Sequence, residues 1–156
     1  MADYHRLRWE IGGGYGIASV DDTTGGAIYV ETGIRTHAFA IDVDYRRFGG
    51  GSGGTDHRFA LLGRYNFACA CDDYERMQAF VETGVAARFH EMDDGHFEPA
   101  QADVHLGGGL LFRLSEGARG LYAGPRVDVV WSHLPTNPDL LRDTGLLATM
   151  VFLYTR

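Results

Sequence analysis

Seven carboxylates, Glu10, Glu31, Asp42, Asp44, Glu82, Asp103 and Asp128, and a set of arginines, Arg8, Arg35, Arg46, Arg58, Arg64, Arg88, Arg113 and Arg126, carry the strongest chemistry in this chain. Their spacing is what unites them. Glu10 stands between Trp9 and Ile11, Asp42 and Asp44 alternate with Ile41, Val43 and Tyr45, and Asp128 stands between Val127 and Val129. In an extended chain, successive side chains point to opposite faces, so these charges share one face and the apolar residues the other. A charge enclosed without a partner is strongly disfavoured. The chemistry expected of the set is therefore mutual ion pairing, and a narrow ion path is the second reading.

The remaining candidates are weaker. His90, His105 and His133 show no i, i+4 or clustered ligand spacing, so they are expected as polar interior or loop residues. Cys69 and Cys71 are too few for a structural zinc site, and two residues apart on one strand they are too distant for easy bridging. They read as free thiols at a strand end. The glycine-rich "GGGYG" at 12–16 lacks the helix and the Gly-Lys-Ser/Thr of a phosphate loop. No catalytic residue, metal or cofactor is expected.

Eight segments position the charges. From Arg6, the odd residues Leu7, Trp9, Ile11, Tyr15 and Ile17 are bulky and apolar, while the even ones run from charge to glycine. The alternation returns in "AIYVETGIR", "FAIDVDYR", "RFALLGRYNF", "MQAFVETGVAARFH", "ADVHLGGGLLFRL" and "LYAGPRVDVVWS". A final "LLATMVFLY" is apolar on both faces, with Met150, Phe152 and Tyr154 assigned outward. A strict period of two over such lengths is a strand signal. Longer polar connections are expected at residues 19–25, 49–56, 91–100 and 134–143. Tighter links fall at Thr36, near Asp72 and across 115–120. The result is a single domain over residues 1–156: an all-β, eight-stranded, antiparallel up-and-down barrel.

Composition narrows the partners. A net charge of -7 and a pI near 5.4 argue against nucleic acid, whose binders carry a basic stripe. No apolar run reaches the ~20 residues of a membrane helix. The opening "MADYHRLRWE" is polar and unlike a signal peptide, as in an exported chain whose leader has been replaced by a start Met.

Which face looks inward follows from volume. An eight-stranded barrel has room inside only for its own side chains, so a soluble, lipocalin-like ligand-binding barrel would have to crowd every bulky row into the centre. Turned the other way, the charges go inside and Gly12, Gly14, Gly16, Gly33, Gly84, Gly107, Gly109 and Gly124 leave space for them. The outward aromatics then form two girdles. Trp9, Phe39, Phe67, Phe112, Phe152 and Tyr154 mark the short-turn rim; Tyr45, Phe59, Phe89 and Trp131 mark the long-loop rim. Girdles flanking an aliphatic band belong to a transmembrane barrel whose wall meets lipid or detergent.

On these strands, typified by "RLRWEIGGGYG" and "ADVHLGGGLLF", and on the aromatic last strand "MVFLY", the chain resembles the small eight-stranded bacterial outer-membrane barrels. The transmembrane domain of outer-membrane protein A is one such barrel. The chain departs from that family's final aromatic residue, running on through Thr155 to Arg156. The resemblance implies the outer membrane of a diderm bacterium, and a monomer is expected. The expected role is non-enzymatic, structural, adhesive or interaction-based, through the longer loops. A second likeness is local: "WSHLPTN" at 131–137 is similar to the His-x-Ser-Asn segment of the lipid A deacylase barrels, but Pro135 stands where their nucleophilic serine would be.

Overall fold

The computed structural model describes residues 7–20, 23–36, 38–49, 54–68, 76–115, 120–132 and 144–156. They form eight strands: β1 (Arg8–Val20), β2 (Thr23–Arg35), β3 (Phe39–Gly49), β4 (Thr55–Ala68), β5 (Met77–Glu91), β6 (Gln101–Arg113), β7 (Gly120–Ser132) and β8 (Thr144–Thr155). Each pairs antiparallel with the next, and β8 closes on β1 from Glu10↔Thr155 to Val20↔Gly145. Closure leaves no free edge, and every strand is long enough, at 11 residues or more, to cross a bilayer at a tilt.

The period of two becomes a period of burial. Along β3, Phe39, Ile41 and Val43 are exposed while Ala40, Asp42, Asp44, Arg46 and Phe48 are buried. Around the barrel, Ile11, Val30, Leu61, Val85, Leu106 and Leu146 are exposed, and the charged rows are enclosed. Met150, Phe152 and Tyr154 face outward, with Val151 and Leu153 inside. This is the reverse of what a soluble ligand-binding barrel requires.

Two connections differ from the sequence reading. The stretch 19–25 is not a long loop, because the β1 and β2 ladder continues to Val20↔Thr23 and leaves two residues between the strands. Its polar "SVDDTTGG" reads as loop by composition, yet Ser19 pairs with Thr24 and Thr24 Oγ1 donates to Ser19 Oγ at 3.4 Å. Likewise β3 persists to Gly49 and β4 begins at Thr55. The link near Asp72 lies outside the described residues. Cys69, Cys71, His133 and Pro135 lie outside the described residues.

Glycine does two things here. At Gly107 it makes room for charge: a Cβ there would meet Asp128 Oδ1, Glu82 Oε1 at 2.9 Å and His105 Nε2 at 3.0 Å. At Gly16 it lets strands approach, since a Cβ would strike the Ala148 carbonyl oxygen and lie 2.6 Å from Thr149 Cα. Backbone cannot swing aside. Gly16→Ala should therefore cost ~1 to 3 kcal/mol as overpacking. Gly26→Ala, with nothing within 4 Å, should stay within about 0.5 kcal/mol. Urea titrations of the two variants in the same detergent check the contrast; equal midpoints would contradict it.

Proline is accommodated at a gap. The β6–β7 ladder is interrupted between Gly109↔Arg126 and Phe112↔Ala123, where Pro125 has no N–H to contribute.

Candidate functional site

The lumen is the built site. Inward charges from β1, β2, β3, β4, β5, β6 and β7 converge there because every second residue of each strand points to the axis. Glu10, Glu31, Arg35, Asp42, Asp44, Arg46, Arg58, Arg64, Glu82, Arg88, Asp103, Arg126 and Asp128 are all buried. Arg8 and Arg113 are half-buried at the short-turn rim, where Arg113 Nε donates to the Ser115 carbonyl at 2.8 Å.

Arg126 is the hub. Its guanidinium meets four carboxylates: Glu31 at 3.0 Å, Asp44 at 3.5 Å, Asp128 at 3.1 Å, and Glu82 in close contact. Arg46 binds Asp44 at 2.7 Å and also contacts Asp128. Toward the short-turn rim, Arg64 contacts Glu10 and lies 3.5 Å from Asp42 and 3.8 Å from Glu31. Arg35 lies 3.8 Å from Glu10 and donates to Gln78 Oε1 at 3.0 Å. Toward the other rim, Arg58 sits 3.4 Å from Asp103, and Arg88 donates to Gln101 at 2.5 Å. Planar guanidinium forks suit such shared carboxylates, because each presents several donors at once.

Charge is nearly balanced. Seven buried carboxylates face six buried guanidiniums among the described residues, and the His105 imidazole is buried with them. Its Nε2 lies 3.1 Å from Glu82 Oε1 and 3.2 Å from Asp128 Oδ1. Sequence spacing missed this trio, because its members sit on β5, β6 and β7 and only the ladder register brings them together. All three offer ligand atoms within 4.8 Å of one another, a geometry able to hold a metal. The same two carboxylate oxygens already receive Arg126, so a dication there would displace or oppose a fixed positive charge.

Two apolar clusters share the lumen with the charges. Toward the short-turn rim Phe80, Leu111, Tyr122 and Leu153 pack with Tyr29 and Val151; toward the long-loop rim Ala18, Ala27, Phe48, Val130 and Leu147 form a second group. The first group's aromatic faces carry the arginines. Arg46 and Arg126 lie 5.5 and 5.3 Å from the Tyr29 ring centre, Arg64 5.7 Å from Phe80, and Arg35 5.8 Å from Tyr122. Sequence reading placed Tyr29, Phe80 and Tyr122 on the inward face without giving them this role.

On the outer surface, Trp9, Phe39, Phe59, Phe67, Phe112, Trp131, Phe152 and Tyr154 are exposed, whereas Tyr45 and Phe89 are half-buried. Those two sink because the girdle folds in on itself there. Tyr45 packs on Phe59 at 4.9 Å, and Phe59 meets Phe89 edge-on at 6.2 Å.

A closed eight-stranded meander with an apolar skin and a salt-bridged lumen defines the small transmembrane β-barrel class. No sequence-family model matches the chain, and neither does any curated protein. Among solved structures it is similar to Neisserial surface protein A (14% identity, TM-score 0.70, covering 94% of this chain and 95% of that one). It is also similar to the N-terminal β-barrel domain of Pseudomonas aeruginosa OprF (13% identity, TM-score 0.70, covering 96% of this chain and 97% of that one). The outer membrane enzyme PagL also matches, at 18% identity and a TM-score of 0.54 over 92% of this chain and 97% of that one. At these identities the likeness carries the fold alone: that of the small eight-stranded bacterial outer-membrane barrels.

Proposed function

We propose that this chain is a non-enzymatic barrel of a bacterial outer membrane, with a sealed, ion-paired interior that rigidifies the wall. Its role would be structural, adhesive or interaction-based, exercised as a monomer through the connections at the long-loop rim. The observation that supports it is the interlocked set of buried carboxylates and guanidiniums in the lumen. Of the connections, residues 92–100 and 133–143 provide the most chain for an external partner, since the first of the four is only two residues long.

Two measurements test this reading. A folded transmembrane barrel resists SDS, so heated and unheated detergent samples should migrate differently on a gel; identical migration would count against membrane residence. In planar bilayers the protein should give no discrete conductance steps, because paired charges and packed apolar side chains share the small lumen. Ohmic openings that vanish in Arg64→Gln or Glu82→Gln would instead establish the narrow pore.

A further inference from the structure

We propose that the outer wall of β3, β4 and β5 at the long-loop rim seats one phosphate-bearing lipid, with its acyl chain in an aromatic recess and its phosphate on Arg47. The inference rests on the lipid-facing wall proposed above and goes beyond it.

The recess measures about 510 Å³ and is lined by Tyr45, His57, Phe59, Phe89 and Phe97. Phe97 comes from the β5–β6 connection. Gly95, at φ +82°, turns the chain back so that its N–H bonds the Met92 carbonyl, the Met92 N–H bonds His96, and Phe97 bridges Glu91. The Phe97 ring then stands 6.0 Å from His57. A hydrogen-bonded chain fixes the rim of the recess: the Tyr45 hydroxyl lies 2.8 Å from His57 Nδ1, and His57 Nε2 lies 2.9 Å from Glu91 Oε2. Glu91 is thereby engaged at the imidazole.

The outward ladder of β3 and β4 supplies the sequence of chemistries that a lipid has along its length. Val43↔Leu61 is aliphatic, Tyr45↔Phe59 aromatic, and the next outward pair, Arg47↔His57, is cationic or neutral-polar. Arg47 is exposed, has Ile28 as its other cross-strand neighbour, and makes no ion pair or hydrogen bond among the described residues. An exposed arginine in register with His57 of the recess lining, on a protein of net charge -7, is complementary to an anionic headgroup. Phosphate suits its planar fork, and its single-site geometry suits one lipid rather than a general attraction to anionic surface.

The test uses the folded full chain in an uncharged detergent. It is titrated with dimyristoyl phosphatidic acid, with dimyristoylglycerol, which has the same chains without phosphate, and with inorganic phosphate, and bound lipid is counted by native mass spectrometry. One phosphatidic acid should bind per barrel and dimyristoylglycerol more weakly. Arg47→Gln should weaken the phosphatidic acid by about tenfold, the scale of one charge-assisted hydrogen bond, without changing the diglyceride. Phe97→Ala, a connection residue outside the ladder, should weaken both. Equal binding of the two lipids, an unaltered affinity in Arg47→Gln, or uptake of inorganic phosphate alone would each overturn the site. A barrel that shows the heat-dependent gel shift and inserts into vesicles but fails to discriminate removes only this inference; one that does neither removes the lipid-facing wall as well.

Discussion

Replacing Arg126 by methionine is expected to cost ~3 to 5 kcal/mol of folding stability, the scale of breaking a buried ion pair by deleting one partner. The loss comes less from the contacts removed than from what remains. Glu31, Asp44, Glu82 and Asp128 would be left facing one another in an enclosed space with Arg46 and Arg64 as the nearest compensation. Methionine keeps much of the length and none of the charge, so packing is held roughly constant. Removing a carboxylate at the same time should recover part of the cost: Arg126→Met with Asp128→Asn is expected to be more stable than the sum of the two single changes, because neighbours in one network are not additive. Arg47→Met, on the outer face with no partner among the described residues, should stay within about 0.5 kcal/mol. Urea titration of the heat-modifiable band in detergent reads all four. A change below 1 kcal/mol for Arg126→Met would mean that the lumen charges are solvated rather than interlocked.

The facing of this barrel was legible because it depends on parity alone. Trp9, Ile11 and Tyr15 against Glu10 and the glycines already sort wall from lumen, and a slip of one residue would invert every strand. The pairing inside the lumen was not legible. Arg126 reaches Glu31 across 95 residues and Arg46 reaches Asp128 across 82. Which guanidinium meets which carboxylate is set by the stagger between strands, a quantity that no local pattern encodes. The Glu82, His105 and Asp128 trio was hidden for the same reason. Connection lengths failed differently: "SVDDTTGG" has the composition of a loop, but hydrogen bonding across β1 and β2 outweighs propensity at a tight hairpin. Arg47 went unremarked because it follows Arg46 directly, and a pair of adjacent arginines masks that one points in and the other out.

Arginine introduced along the outer face of β6 should give a graded cost: ~2 to 4 kcal/mol at Leu106, less at Leu110, and ~0 to 1 kcal/mol at Leu114, just beyond the strand end. Leu106 is the sixth of thirteen residues in β6, its cross-strand neighbours are Thr83 and Val129, and it is 51% exposed. Leu114 is 60% exposed, so exposure does not separate the two sites. In water they would behave alike, since a surface leucine exchanged for arginine on a soluble barrel changes stability by only about 0.5 kcal/mol. In a bilayer they differ, because the centre of the hydrocarbon offers a guanidinium neither water nor a partner, while a side chain near the rim can extend to the headgroups. Leucine-to-methionine changes at the same three positions supply the volume control. Refolding into vesicles of fixed thickness, followed by urea titration, gives the profile. A flat profile would place water rather than lipid against the leucines of this wall, and with it would go the outer-membrane reading.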